Sequence, residues 1–302
     1  MTIINSYFLG KISKKLSGGG KMEERFLTQN VVDDFATYLK NEEKSENTIQ
    51  KYIHDIQDFM HFMNCLGITK EMVIAYKNKL ISENYAIRSI NSMLAALNSL
   101  FTFLNWEDFK VKSIKLQQQV YCSEEKELTK AEYVRLVETA KRKGNERLNL
   151  ILQTICGTGI RVSELPYITV EAVKQGEAVV SLKGKTRTVF IVRELRRKLL
   201  CYAKERKIET GPIFITRNGT PMSRTNIWRE MKNLCEQAEV NPDKVFPHNL
   251  RHLFARTFYG IEKDIAKLAD ILGHSSINTT RIYVITTGFE HRKRMESMRL
   301  II

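Results

Sequence analysis

LGHSSINTTRIY, residues 272–283, joins a glycine-marked turn to a helical stretch and sets two chemistry-bearing side chains, His274 and Tyr283, nine positions apart. Gly273 supplies the break at which an apolar run ending on Leu272 stops. Alone, a His at a turn or a Tyr near a chain's end is ordinarily a satisfied or solvated residue. Two upstream blocks change that weighing. HNLRH, residues 248–252, sets His248 and Arg251 three positions apart, which puts both on one face of a helix. GTGIRVSEL, residues 157–165, sets Arg161 just past a Gly-Thr-Gly break. Four of the six histidines (His248, His252, His274, His291) fall in the last 55 residues, so the titratable chemistry gathers towards one end.

Outward from these blocks the chain reads as mixed but mostly helical. Glu177–Leu182 and Thr186–Val192 alternate apolar and polar residues on either side of Lys183-Gly184-Lys185, the pattern of a β-hairpin. Helices fit 130–142, 146–156, 193–206, 224–238, 248–258, 263–272 and 276–283. Thr129 followed by Glu132 predicts a capping box at the first of them. Residues 108–127 are polar and without a steady period, the mark of a linker. Residues 22–107 predict four helices and hence a compact bundle. They are a first with Val32, Phe35 and Leu39 at helical spacing, then Thr48–Leu66 behind an Asn47 cap, Lys70–Ser82 and Ile87–Leu104. Residues 1–21 read as a tail, with flexible Gly18-Gly19-Gly20; either it is a basic arm or translation starts at Met22.

A chain of 302 residues suits two domains, and 43% apolar with 27% charged residues is globular composition. No run approaches the ~18 apolar residues of a membrane span, and the first residues lack the charge order of a secretory signal. The five cysteines lie far apart, which argues against a disulfide framework or a zinc site and for a reducing cytosol. The net charge of +14 suggests a polyanionic partner. Residues 22–120 are net −2 and residues 121–302 net +12, so such a partner is held mainly by the C-terminal region. There is no phosphate loop, no H-E-x-x-H, no paired Asp cluster for magnesium and no G-x-S-x-G. An enzyme acting on nucleic acid here has to work without an obvious metal or nucleotide.

The three blocks, in this order, resemble those of the tyrosine recombinase (phage integrase) family, with the size and layout of its Xer-type members. The resemblance spans nearly the whole chain. It implies two mostly α domains: a four-helix SAM-like core-binding domain over 22–107 and an α+β catalytic domain over 128–302 that carries a small β-hairpin. It carries the active-site set onto Arg161, Lys183, His248, Arg251, His274 and Tyr283. The family's K-G-x-x-x-R pattern selects Lys183, with Arg187 beyond it, although the loop is about one residue short and Lys185 stays an alternative. His252 is read as supporting, and Glu164 either orients the Arg161 segment or is a helix-start acid.

The chemistry explains the residue types. Two guanidiniums can clamp the non-bridging oxygens of a phosphodiester, where charge gathers in the transition state. A tyrosine oxygen can attack phosphorus and leave again, a histidine can take its proton, and a lysine can protonate the departing oxygen. The implied activity is DNA cleavage to a 3′-phosphotyrosyl intermediate, strand exchange through a Holliday junction and rejoining. It needs no cofactor, no metal and no ATP. The implied partners are double-stranded DNA and either three further copies or a paired recombinase in a tetramer, with no membrane, in the cytoplasm. Lys51, Lys77, Lys79 and Arg88 are the expected DNA-facing cations of the first domain. Residues 289–302 are the expected tail exchanged between subunits, the alternative being that it packs on its own domain. Two other readings compete. A type IB topoisomerase shares this chemistry but relaxes supercoils as a monomer, and the block around His274 speaks against it. A non-catalytic regulator on the same scaffold has no chemical need of all six residues.

Overall fold

The computed structural model describes residues 25–64, 66–115, 126–182, 184–284 and 295–298. Lys183, His291, the tail 1–21 and most of 289–302 therefore lie outside the described residues. The chain divides into two units, Met1–Gln118 and Gln119–Ile302.

In the first unit four helices form, α1 (Gln29–Asn41), α2 (Glu46–Met63), α3 (Lys70–Ser82) and α4 (Ile87–Phe103). Each exists because it has one apolar stripe to bury. Val32, Phe35, Ile56, Phe59, Leu94, Leu97 and Phe101 are all completely buried against one another. Some boundaries differ from the sequence reading: α2 ends at Met63 rather than Leu66, and α4 at Phe103 rather than Leu104. The cap of α2 is Ser45, not Asn47, because Ser45 keeps extended backbone (φ −65°, ψ 147°) while Glu46 is already helical. Its hydroxyl lies 2.8 Å from that of Thr48. The same helix is closed by Asn64, which takes the left-handed conformation that asparagine tolerates (φ 48°). The chain leaving α4 is pinned back on it. The amide of Asn98 exchanges two hydrogen bonds with the backbone of Val111 (3.0 and 2.9 Å), and Asn91 does the same with Ile114 (2.8 and 2.9 Å). Seven helical residues and three extended ones both span about 10 Å, so the two registers match.

The second unit starts with α5 (Lys130–Arg142), whose capping box is present: Glu132 N–H donates to Thr129 Oγ1 (3.2 Å) and Thr129 N–H to Glu132 Oε2 (2.8 Å). Next come α6 (Glu146–Thr158), a 3-10 turn (Val162–Tyr167) and α7 (Val170–Gln175). The turn and α7 escape a periodicity reading because each is only six residues long, no more than two helical turns, and Pro166 interrupts the pattern. The antiparallel hairpin β1 (Glu177–Leu182) and β2 (Lys185–Phe190) pairs Val180 with Arg187 and Ala178 with Val189. Ala178, Val180 and Val189 are buried, while Val179 and Phe190 are exposed, as a period of two demands.

Then follow α8 (Arg193–Glu205), α9 (Arg224–Lys232), α10 (Pro247–Glu262), α11 (Ile265–Leu272) and α12 (Ile277–Val284). Helix α9 stops six residues short of the expected 238, since residues 233–239 form successive turns. Pro247 opens α10 at a position where its missing N–H costs nothing. Leu148, Leu150, Ile151, Leu152 and Ile155 of α6 are completely buried, which makes this helix the centre of the unit. Among the described residues no helix is long and apolar enough to cross a membrane.

Candidate active site

Three short pieces of chain meet in the second unit: the end of α6, the first turns of α10 and the α11–α12 turn. Gly159 ends α6 with φ +65°, and a Cβ there would come within 2.5 Å of Phe254 on α10. Only glycine lets α6 stop this close to α10. Its carbonyl is thereby turned towards Arg251.

Arg251 is 2% exposed, although it is an arginine. It survives burial because its guanidinium is matched by fixed acceptors. It donates to the carbonyls of Gly159 and Leu272 (2.7 Å to the latter), and lies 3.0 Å from His274 Nε2. Burial first, then repulsion from Arg161, lowers its pKa to about 10. Its Nε–H has no partner among the described residues.

One carboxylate organises the other two arginines. Glu164 is 1% exposed and accepts from the Arg161 backbone N–H (2.9 Å), from Arg161 Nη1 (2.7 Å) and from Arg187 Nη2 (2.6 Å). Burial would raise its pKa, but these donors overcome burial and hold it below the usual carboxylate range. Of the two readings of Glu164, the geometry has it orienting the Arg161 segment. Arg161 also reaches the Gly273 carbonyl at 3.4 Å, and Arg187 donates to Ile271 O at 2.7 Å. Gly273 has φ +65°, and its Cα lies so near the Arg187 side chain that a Cβ would collide with it.

Tyr283 is 6% exposed and sits in its own chain against three histidine rings. It stacks on His252 at 4.2 Å between centroids, with His274 at 5.2 Å and His248 at 5.4 Å. Its hydroxyl lies near enough to Arg251 to favour the charged form of that guanidinium. All three rings are biased to the neutral form. Burial, followed by nearby cationic groups, brings His252 and His274 to about 4 and lowers His248 as well. His274 Nδ1 lies 2.9 Å from the buried Thr280 hydroxyl.

Of the six residues that the resemblance carries over, the structure gathers Arg161, His248, Arg251, His274 and Tyr283 around this turn, while Lys183 is outside the described residues. Arg187 and Thr280 carry site contacts that block spacing alone does not assign. For Arg187 a signal exists in the alternation of β2, since it is on the inward face with Val189. Of the cations expected to face DNA in the first unit, Lys51 pairs with Asp55 (2.5 Å), Lys77 with the Lys112 carbonyl (2.8 Å) and Lys79 with Glu83 (3.8 Å).

Comparison with known proteins follows the same two units. The phage integrase family model matches residues 126–287, and the phage integrase N-terminal SAM-like domain matches residues 32–108. Tyrosine recombinase XerA of Pyrococcus furiosus is 31% identical over 289 residues, covering 93% of this chain and 98% of that protein. Tyrosine recombinase XerC of Pediococcus pentosaceus is 28% identical, over 88% of this chain and 95% of its own length. Among solved structures, XerA recombinase superposes with a TM-score of 0.51 at 25% identity, over 91% of this chain and 100% of that one. A lambda integrase tetramer bound to a Holliday junction gives a TM-score of 0.70 at 18% identity, over 93% and 85%, which establishes the shared fold.

Proposed function

The chain belongs to the phage integrase (tyrosine recombinase) family, and from that membership we propose that it cuts and rejoins double-stranded DNA at a specific site, with Tyr283 as the nucleophile. The observation that carries this reading is the docking of the Tyr283 ring in its own chain beside Arg251, with His248 at 5.4 Å.

Arg161 and Arg251 would hold the two non-bridging oxygens of one phosphate. Their guanidiniums are already oriented by Glu164 and by the Gly159 and Leu272 carbonyls, so little reorganisation remains for the transition state. Each preorganised donor of this kind contributes ~2.7–4 kcal/mol in comparable anion holes. His248, kept neutral, takes the Tyr283 proton as the oxygen attacks phosphorus. The P–O5′ bond breaks, and Lys183 on the β1–β2 hairpin (or Lys185) protonates the leaving oxygen. His274 assists at a non-bridging oxygen. The 3′-phosphotyrosyl bond conserves the energy of the broken strand, and a 5′-hydroxyl from another strand reverses the step. Two rounds through a Holliday junction exchange both strands. The assembly is a tetramer on two DNA sites, built of four copies or of two paired recombinases, and it acts in the cytoplasm. Most phosphate contacts come from the +12 region, so affinity should fall steeply with salt.

The test uses sheared DNA of the source organism, denaturing capture of protein-linked fragments, and sequencing of what is linked. The expected result is a covalent adduct enriched in one recurrent sequence and absent in Tyr283→Phe. An adduct that survives Tyr283→Phe, or none on nicked duplexes that carry any recovered or permissive sequence, overturns the proposal. Adducts spread without sequence preference would favour the topoisomerase-like reading.

A further inference from the structure

His274 is hydrogen-bonded at both ring nitrogens, and the two partners are not equivalent. At Nε2 stands Arg251 Nη2, 3.0 Å away. A guanidinium has only donors, so Nε2 faces it as an acceptor and carries no proton. A neutral imidazole then has its proton on Nδ1, which lies 2.9 Å from Thr280 Oγ1 and donates to it. Thr280 is completely buried, and it sits one helical turn before Tyr283 on α12. One hydroxyl therefore ties the ring of His274 to the helix that carries the tyrosine.

We infer that Thr280 is a positioning residue that fixes the proton of His274 on Nδ1 and leaves Nε2 as the only ring atom whose role changes between the empty and the DNA-bound site. The inference deepens the proposed reaction and rests on it for its catalytic consequence. In the empty site Nε2 accepts from Arg251 and holds the guanidinium plane in place. When a phosphate adds negative charge beside the ring, Nε2 takes a proton from solvent, gives up the bond it accepts from Arg251, and donates to a non-bridging oxygen instead. The Nδ1–H···Oγ1 bond is the same in the neutral and protonated rings, so Thr280 keeps the ring in register through the change. Without the hydroxyl the half-buried Nδ1–H would lose its acceptor, and the tautomer with the proton on Nε2 would point that proton at the Arg251 cation. The lowered basicity of His274, brought by burial and then by Arg251 and Arg161, agrees with a ring that is neutral while the site is empty.

The measurement is nitrogen-15 NMR of histidine-labelled full-length protein without DNA, with His274 assigned by its loss in His274→Gln. The expected pattern has a protonated Nδ1 and an unprotonated Nε2 in the wild type and in Thr280→Ser, and a mixed or reversed pattern in Thr280→Val. On the nicked duplex of the adduct assay, Thr280→Val is expected to cleave about 10- to 100-fold more slowly, by analogy with the range found when the outer partner of a metal-ligating histidine is removed. Its DNA affinity stays unchanged, and Thr280→Ser returns to within a few-fold of wild type. A wild-type ring protonated on Nε2, or a Thr280→Val protein that cleaves at the wild-type rate, overturns the inference. Failure of the wild type to form any adduct counts against the proposed reaction instead, and leaves the tautomer measurement to decide this one.

Discussion

Lys79, on α3 of the first unit, has a side chain 43% exposed and lies 3.8 Å from Glu83, one helical turn on. Arg251, on α10 of the second, is 2% exposed, and its acceptors come from residues 21, 23 and 92 positions away in the chain. Both are cations on helices, yet they answer to different physics. A surface pair one turn apart is screened by water and contributes little. A buried guanidinium stays charged only where fixed dipoles and carboxylates compensate its lost hydration, and that compensation holds it still. Stillness is what a phosphate clamp requires. Glu164, the one deeply buried glutamate among the described residues of the second unit, serves two arginines at once. Among the described residues of the first unit no lysine or arginine is fully buried.

The contrast breaks most sharply at Glu164. In Glu164→Gln one carboxylate oxygen becomes an amide that faces Arg161 or Arg187, so largely buried Arg187 and half-exposed Arg161 lose their counter-charge. Breaking a buried pair from one side costs ~3–5 kcal/mol, and urea unfolding followed by circular dichroism should show a loss of that size. A loss below about 1 kcal/mol would mean that Glu164 is no more than a surface acid in effect.

The half-buried histidines should give a smaller and pH-dependent effect. His252 and His274 stand at about 4 in the folded chain against an ordinary value of 6.5. Between those values the unfolded chain binds more protons than the folded one, so stability rises with pH there and is lost as pH falls through the window. Urea midpoints measured from about pH 7 down to about pH 4.5 should decline, and His252→Phe, which keeps a ring stacked on Tyr283, should make the decline shallower. A midpoint flat across the window contradicts this.

The smallest effect is expected in the first unit. Lys79→Ala should change its stability by no more than about 0.5 kcal/mol by the same urea assay. A larger loss would erase the contrast, since it would give a rim lysine the weight of a buried arginine.

Much of this architecture is written in local spacing. Helix α3 runs from Lys70 to Ser82 as its apolar period predicts, and the hairpin flanks Gly184 as its alternation predicts. The capping box at Thr129 follows from two residues three apart. What spacing misjudges lies at the ends and in short pieces: the Ser45 cap, the early end of α9, and the Val162–Gln175 segment. There, one or two backbone angles outweigh a period that needs several turns to register.

The candidate site divides along the same line. Residue types and order at 157–165, 248–252 and 272–283 are enough to name a chemistry, because a phosphate clamp needs arginines and a covalent intermediate needs a nucleophile. Such patterns act over three or four positions, the distance across one turn of helix. They carry no information on contacts such as Arg161 to Gly273 or Arg251 to Gly159, which span 112 and 92 positions. Folding alone brings Tyr283 onto His252, sets Arg187 on Glu164 and chooses which nitrogen of His274 bears the proton. Each of these outcomes depends on which acceptor lies nearest once the helices pack, and packing joins residues that the chain keeps far apart.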